Sequence, residues 1–176
     1  MDFRISRVLM GAAFAVAASG AQAQENKVPC TDAKTDWSVC VVEQPKECWG
    51  VSVPKETVNT REGRVVAATR SDIMLFVFYR PSAGLNGQVT FTGGYPFAKD
   101  STVNVNVGGT EFEMFTEGEW AWPATPADDA KMITAMKRGA TAILTARSSR
   151  GTQTKDTFSL LGFTAAVEDA EKRCGG

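Results

Sequence analysis

Histidine is absent from all 176 residues. Without it there is no Ser-His-Asp or Cys-His engine, no zincin motif and no imidazole to ligate a metal. A surplus of either charge is also missing. Lys and Arg number 19 and Asp and Glu 20, a formal net charge of -1. No basic excess points to nucleic acid, and no acidic block points to a solvated tail. No apolar run reaches the roughly 20 residues that a membrane-spanning helix needs. Cysteine is scarce, and its four copies are spaced by 10, 8 and 126 residues without a C-x-x-C pair. That spacing does not suit a four-thiolate zinc site. What remains is 43% hydrophobic and 22% charged, the composition of a globular domain and not of a disordered, collagenous or coiled-coil chain.

Met1 to Ala23 reads as a secretory signal peptide. Arg4 and Arg7 give the positive start, Val8 to Ser19 the short apolar run, and Ala21-Gln22-Ala23 the cleavage site. No Cys follows that site, so no lipid anchor is signalled. Cleavage removes 23 of 176 residues and leaves 153, starting at Gln24; losing Asp2, Arg4 and Arg7 takes the net charge from -1 to -2. One core suffices for that length. The expected organisation is a polar arm over 24–36 and a single β-rich domain over 37–176. The expected location is the periplasm, with surface association or secretion as variants.

Cys30, Cys40, Cys48 and Cys174 all lie in the mature part, and an even count in an exported chain predicts two disulfides. Four cysteines allow three patterns, each of which ties Cys174 to the N-terminal region. Cys30–Cys40 with Cys48–Cys174 is preferred. Cys40–Cys48 with Cys30–Cys174, which would staple a hairpin around Gln44-Pro45-Lys46, stays open.

Strand signals dominate. Trp37 to Val42 and Cys48 to Val53 form a hairpin pattern, followed by a polar connection over Pro54 to Arg61 and a strand over Val65 to Thr69. Ile73 to Tyr79 suits a strand buried on both faces. Asn86-Gly87 marks a turn into Gln88 to Thr92. In Val103 to Phe115, a Gly108-Gly109 turn pairs Val107 with Thr110, Val105 with Phe112 and Val103 with Met114 on one face. Asn104 and Asn106 then oppose Glu113 and Glu111 on the other. A further pair, Thr141 to Ala146 and Thr152 to Leu160, flanks Ser148-Ser149-Arg150-Gly151. Two helices are signalled. The first has Thr125 as cap, Pro126 in first position, Met132, Ile133 and Met136 as apolar face and Gly139 as stop. The second spans Phe163 to Arg173, with Phe163, Ala166, Val167, Ala170 and Cys174 on one face. The expected fold is mainly β: an antiparallel sandwich or barrel with one short inserted helix and a C-terminal helix.

Catalytic readings are thin. Ser52-Val53-Pro54-Lys55 matches S-x-x-K, but Pro54 lies between the two at a strand end and no S-D-N or K-T-G follows. Glu111 with Glu113 and Asp128 with Asp129 read as solvated surface. Glu117 with Glu119, flanking Gly118 beside Trp120, is the carboxylate pair left for a hydrolase. Gly93-Gly94 precedes no helix start that would hold a phosphate. Arg61, Arg64 and Arg70 form a loose basic cluster read as solvated. Trp120 and Trp122 stand at strand spacing on one face. At least one is expected to be buried, and exposed they would join Tyr95 in a stacking platform for a sugar or peptide.

Several segments carry a family resemblance. They are Trp37-x-x-Cys40 with Cys48, Phe91-Thr92-Gly93-Gly94-Tyr95-Pro96-Phe97, Phe112 to Gly118, Trp120-Ala121-Trp122-Pro123, and Arg150-Gly151-Thr152 before Asp156 to Leu160. The terminal Gly162-Phe163-Thr164-Ala165-Ala166 and Cys174 complete the set. The chain resembles the invasion-associated locus B family of exported alphaproteobacterial proteins. The resemblance implies an exported envelope protein of a family named for host-cell invasion, many of whose members look like ordinary periplasmic proteins. It implies no catalytic residues. The expectation is therefore a non-enzymatic protein without cofactor, metal, nucleic acid or transmembrane span. Its role would be binding or support at the envelope, toward an envelope or host-surface component. The alternatives are a sugar- or peptide-binding module and a carboxylate hydrolase.

Overall fold

The computed structural model describes residues 30–175; the expected signal peptide and cleavage site lie outside them. Twelve strands form one continuous sheet. They are β1 (Cys30–Lys34), β2 (Trp37–Glu43), β3 (Lys46–Ser52), β4 (Glu56–Arg61), β5 (Arg64–Val65), β6 (Met74–Arg80), β7 (Leu85–Thr92), β8 (Thr102–Val107), β9 (Thr110–Glu117), β10 (Trp120–Trp122), β11 (Thr141–Arg147) and β12 (Gln153–Ser159). Helix α1 (Pro126–Arg138) lies between β10 and β11, and α2 (Phe163–Arg173) follows β12. The spatial order is β1-β2-β3-β6-β7-β10-β9-β8-β11-β12-β4-β5, and every pairing is antiparallel.

The sandwich-or-barrel question has a specific answer: one sheet winds over on itself. Phe91 of β7 meets Phe158 of β12 edge to face, with centroids 6.1 Å apart, although the two strands are five places apart in the sheet. Trp37 of β2 donates its indole N–H to the Ser159 carbonyl at 2.9 Å. The core between the halves holds Val39, Leu75, Val77, Val89, Phe91, Val103, Val105, Met114, Leu144 and Phe158.

The β8–β9 hairpin has the register its alternation predicts, from Val103↔Met114 to Val107↔Thr110. Gly108 and Gly109 supply the positive φ angles of its turn, 58° and 89°. In α1, Thr125 accepts the Asp128 N–H, Pro126 opens the helix, and Met132 and Met136 are buried. Gly139 ends α1 in an extended conformation, so its role is steric and not a left-handed cap. A Cβ there would lie 2.6 Å from Val107 Cγ1. In α2, Phe163, Ala166, Val167 and Ala170 are buried, and the helix is closed by the Cys48–Cys174 disulfide across 126 residues. The second bond is Cys30–Cys40; the Cys40–Cys48 with Cys30–Cys174 pattern is not formed.

Four expectations need correction. Cys30–Lys34, placed in the polar arm, is strand β1 paired with β2. Pro54 to Arg61, read as a connection, contains β4, which pairs with β12 through Thr57↔Asp156. Its half-exposed pattern, with Val58 as its one apolar residue, carries little apolar signal. Val65 to Thr69 is strand only at its first residue, in the two-residue β5. Asn86-Gly87 is not the turn: Pro81–Ala83 and Gly84 make it, in a 3-10 turn. Gly87, at φ 86°, sits where the β6–β7 register shifts by one residue. The positive φ that a sequence reader assigns to a turn there serves a bulge.

Candidate functional site

Two surfaces gather chemistry-bearing side chains. The first is a polar cleft of about 480 Å³, lined by residues of β4, the 66–70 segment, Gly94 to Pro96, and the turn between β11 and β12. Its foundation is an ion pair. Arg70 Nη1 and Nη2 donate to Asp156 Oδ1 and Oδ2 at 2.7 and 2.6 Å, with side chains 5% and 0% exposed. A fork-to-fork pair of this kind fixes both position and orientation. Burial pushes the Asp156 carboxyl upward, while the Arg70 hydrogen bonds and charge pull against it. Arg70 Nε also donates to the Gly93 carbonyl at 2.8 Å, and its guanidinium lies 5.0 Å from the centre of the Tyr95 ring. The Tyr95 hydroxyl meets Thr154 Oγ1 at 2.5 Å, and burial raises its pKa.

The walls are tied by backbone. Gly94 has φ 71°, and a Cβ there would sit 2.5 Å from the Ser71 carbonyl oxygen, while the Ser71 N–H donates to the Gly94 carbonyl. Only glycine permits this close approach. Ser149 N–H donates to the Pro96 carbonyl at 2.9 Å and Phe97 N–H to the Gly118 carbonyl at 2.8 Å. Arg61, Arg150, Ser149 and Glu119 stand around the opening. Arg61 Nη2 donates to Thr152 Oγ1 at 2.8 Å.

The second surface is the outward face of the sheet. Ala121 is buried in the core, so Trp120 and Trp122 point the other way. Trp120 opposes Thr92 of β7, and Trp122 opposes Phe115 of β9. An aromatic row runs from Trp49 to Phe78 (5.6 Å), Phe76 (5.1 Å, stacked) and Trp120 (6.0 Å). Phe76 is covered within this row, whereas Trp120 is 43% and Phe115 52% exposed. Trp122 is half-buried.

The expected site residues therefore divide. Trp120 and Trp122 share the outer face, whereas Tyr95 packs against the core side and lines the cleft. Arg61 and Arg70 meet at the cleft; Arg64, in β5, is not among its lining residues. Arg150 joins them from a distant turn. Its only signal in the sequence is its place in the Arg150-Gly151-Thr152 segment of the resemblance. The carboxylates Glu117 and Glu119 part company: Glu119 lines the cleft, and Glu117 lies exposed on β9. Glu113 is exposed on β9 as well, and Glu111 takes a hydrogen bond from Asn106. Ser52 and Lys55 do not act on each other. Ser52 Oγ donates to the Asp36 carbonyl at 2.6 Å, and Lys55 Nζ pairs with the Asp36 carboxylate at 2.5 Å. Asp128 is exposed at the start of α1, with its pKa lowered by Thr125 and Lys131. Asp129 is buried and accepts the Val89 N–H at 2.8 Å.

Among the described residues, no three of His, Cys, Asp and Glu converge as metal ligands would, and no helix is long and apolar enough to cross a membrane. A family model described as invasion associated locus B (IalB) protein matches residues 27–171. No curated protein matches the chain. Among solved structures, the crystal structure of invasion associated protein b from Bartonella henselae is similar at a TM-score of 0.52 and 17% identity, covering 77% of this chain and 91% of that one. At that identity the likeness speaks for a shared β fold.

Proposed function

The chain belongs to the invasion associated locus B family, and from that premise we propose that it is an exported, non-enzymatic protein of the cell envelope whose task is to bind a partner in the periplasm or at the surface. The Met1–Ala23 leader and the two disulfides support the location. The observation that carries the binding role is the outer sheet face. Trp120 and Phe115 are 43% and 52% exposed on neighbouring strands, Trp120 at the end of a packed aromatic row and Phe115 opposite Trp122. Aromatic rings held out on a rigid sheet are characteristic of contact surfaces. An envelope sugar polymer or an extended peptide is the partner such a face accommodates.

The test is co-sedimentation of the mature protein with isolated envelope and with purified peptidoglycan. Trp120→Ala and Phe115→Ala should abolish retention while changing stability by about 1 kcal/mol or less, as exposed positions do. Iodide should quench Trp120 in the free protein and not in the complex. Retention unchanged in both variants refutes the sheet-face role.

A further inference from the structure

We propose that the cleft above the Arg70–Asp156 pair binds an anion, a carboxylate- or phosphate-bearing group held by Arg61 and Arg150. This site is separate from the sheet face: neither Trp120 nor Phe115 lines it. The charges decide the sign of the ligand. Arg70 is spent on Asp156, both buried and paired through two hydrogen bonds. Of the remaining charged groups in the lining, Arg61 and Arg150 stand against the single carboxylate of Glu119. Among the described residues neither arginine is paired with a carboxylate. The unpaired balance of the cleft is therefore one positive charge.

Geometry supports the same assignment. The Arg61 fork is oriented by one hydrogen bond, from Nη2 to Thr152 Oγ1 at 2.8 Å, which leaves its other N–H groups free for the oxygens of a carboxylate or phosphate. Arg150 projects from a turn braced at three places, by Gly151 N–H on the Ser148 carbonyl, Ser148 N–H on the Thr152 carbonyl and Ser149 N–H on the Pro96 carbonyl. The cleft, at about 480 Å³, lies within the size range of small-molecule sites. The segments that carry the family resemblance, Gly93 to Phe97 and Arg150 to Thr152, supply two of its walls. A solvated surface arginine needs no such bracing, and here an arginine at the end of strand β4 and one from the β11–β12 turn line the same opening.

The experiment follows the arginine Nε–Hε signals of the oxidised mature protein by NMR during titration with inorganic phosphate, with glucuronate and with glucose as a neutral control, at matched ionic strength. The Arg61 and Arg150 signals should shift saturably with one or both anions and not with glucose. Phosphate alone assigns a phosphate-bearing ligand; glucuronate alone assigns an acidic sugar or other carboxylate. Arg61→Gln and Arg150→Gln should each weaken binding about tenfold, the loss of one charge-assisted contact. Glu119→Gln should strengthen binding several-fold, which a merely structural role for the cleft does not produce. Both arginines are exposed, so these variants fold; an unchanged melting temperature checks this. The proposal is overturned if neither anion gives a saturable shift up to about 50 mM, far above a millimolar Kd. Equal response to glucose, or unchanged affinity in both arginine variants, overturns it too.

Discussion

Replacing Asp129 by Asn should change how stability responds to pH. Asp129 lies in the first turn of α1, and its Oδ1 accepts the Val89 N–H at 2.8 Å. That N–H points away from β6, toward the place where β10 has ended. Continuing the Ala121↔Phe91 register would set Pro123 opposite Val89. The carboxylate therefore takes the place of a missing strand partner. The position is only 7% exposed, and burial raises the pKa of Asp129 from 3.8 to about 6, against the lowering effect of the Val89 hydrogen bond. A raised pKa means that the folded state prefers the protonated form. The corresponding stability is fully present below about pH 4 and is lost as pH rises through 6. A shift of about two units corresponds to about 3 kcal/mol. Asn keeps an acceptor oxygen for Val89 and removes the ionisation. Urea unfolding of both proteins at pH 4, 5, 6 and 7 should show the Asn variant gaining on the parent by about 3 kcal/mol across that window. A stability difference that is the same at pH 4 and pH 7 refutes the assignment.

Three further outcomes follow from the fold. Removing the Cys48–Cys174 bond by double Ala substitution should cost about 5 kcal/mol, against about 3 kcal/mol for the Cys30–Cys40 pair, because the closed loops span 126 and 10 residues. Equal losses in urea unfolding would contradict this. Arg70→Met alone should cost about 3–5 kcal/mol by leaving Asp156 buried without a partner, whereas Arg70→Met with Asp156→Leu should recover most of it; a double-mutant cycle reads the difference. Mass spectrometry of periplasmic extract should find Gln24 as the first residue, and retention of Met1 would refute the leader reading.

The elements most legible in the sequence are those where two independent local signals coincide. The β8–β9 hairpin combines strict alternation with a Gly108-Gly109 turn, and α1 combines a cap, a proline and an apolar face. Strand β4 has neither: its residues are at best half-buried, and its identity comes from pairing with β12, a partner about 100 residues away. The cleft is illegible for a related reason. Arg61, Arg70, Tyr95 and Arg150 come from four segments; Arg61 adjoins the Arg150 turn only through the long-range β4–β12 pairing, and Arg70 and Tyr95 reach them from two further loops. The outer aromatic row was half visible. Trp120 and Trp122 show their shared face by spacing, as do Phe76 and Phe78. That the two pairs adjoin depends on the strand order β6-β7-β10, which no local pattern encodes. Residue type alone groups Tyr95 with the tryptophans, whereas the fold places it against the core, in the cleft.

The β2–β3 register has a consequence for how the chain acquires its covalent bonds. Cys48 pairs with Val41, and Cys40 pairs with Trp49. That single-residue offset sends the Cys48 sulfur inward, where it joins the core, and the Cys40 sulfur outward, toward Cys30. Exported N-terminus first, the chain delivers three thiols to an oxidising compartment before Cys174 arrives. During that interval the hairpin itself separates the wrong couple, since sulfurs on opposite faces of a pleat cannot meet. Cys30 and Cys40 can then close at once, and Cys48 waits for the last turn of the last helix. Its bond reports on the arrival of α2: a chain truncated before Cys174 keeps a thiol at Cys48 without its native partner, and only a molecule that extends through Cys174 can close that bond.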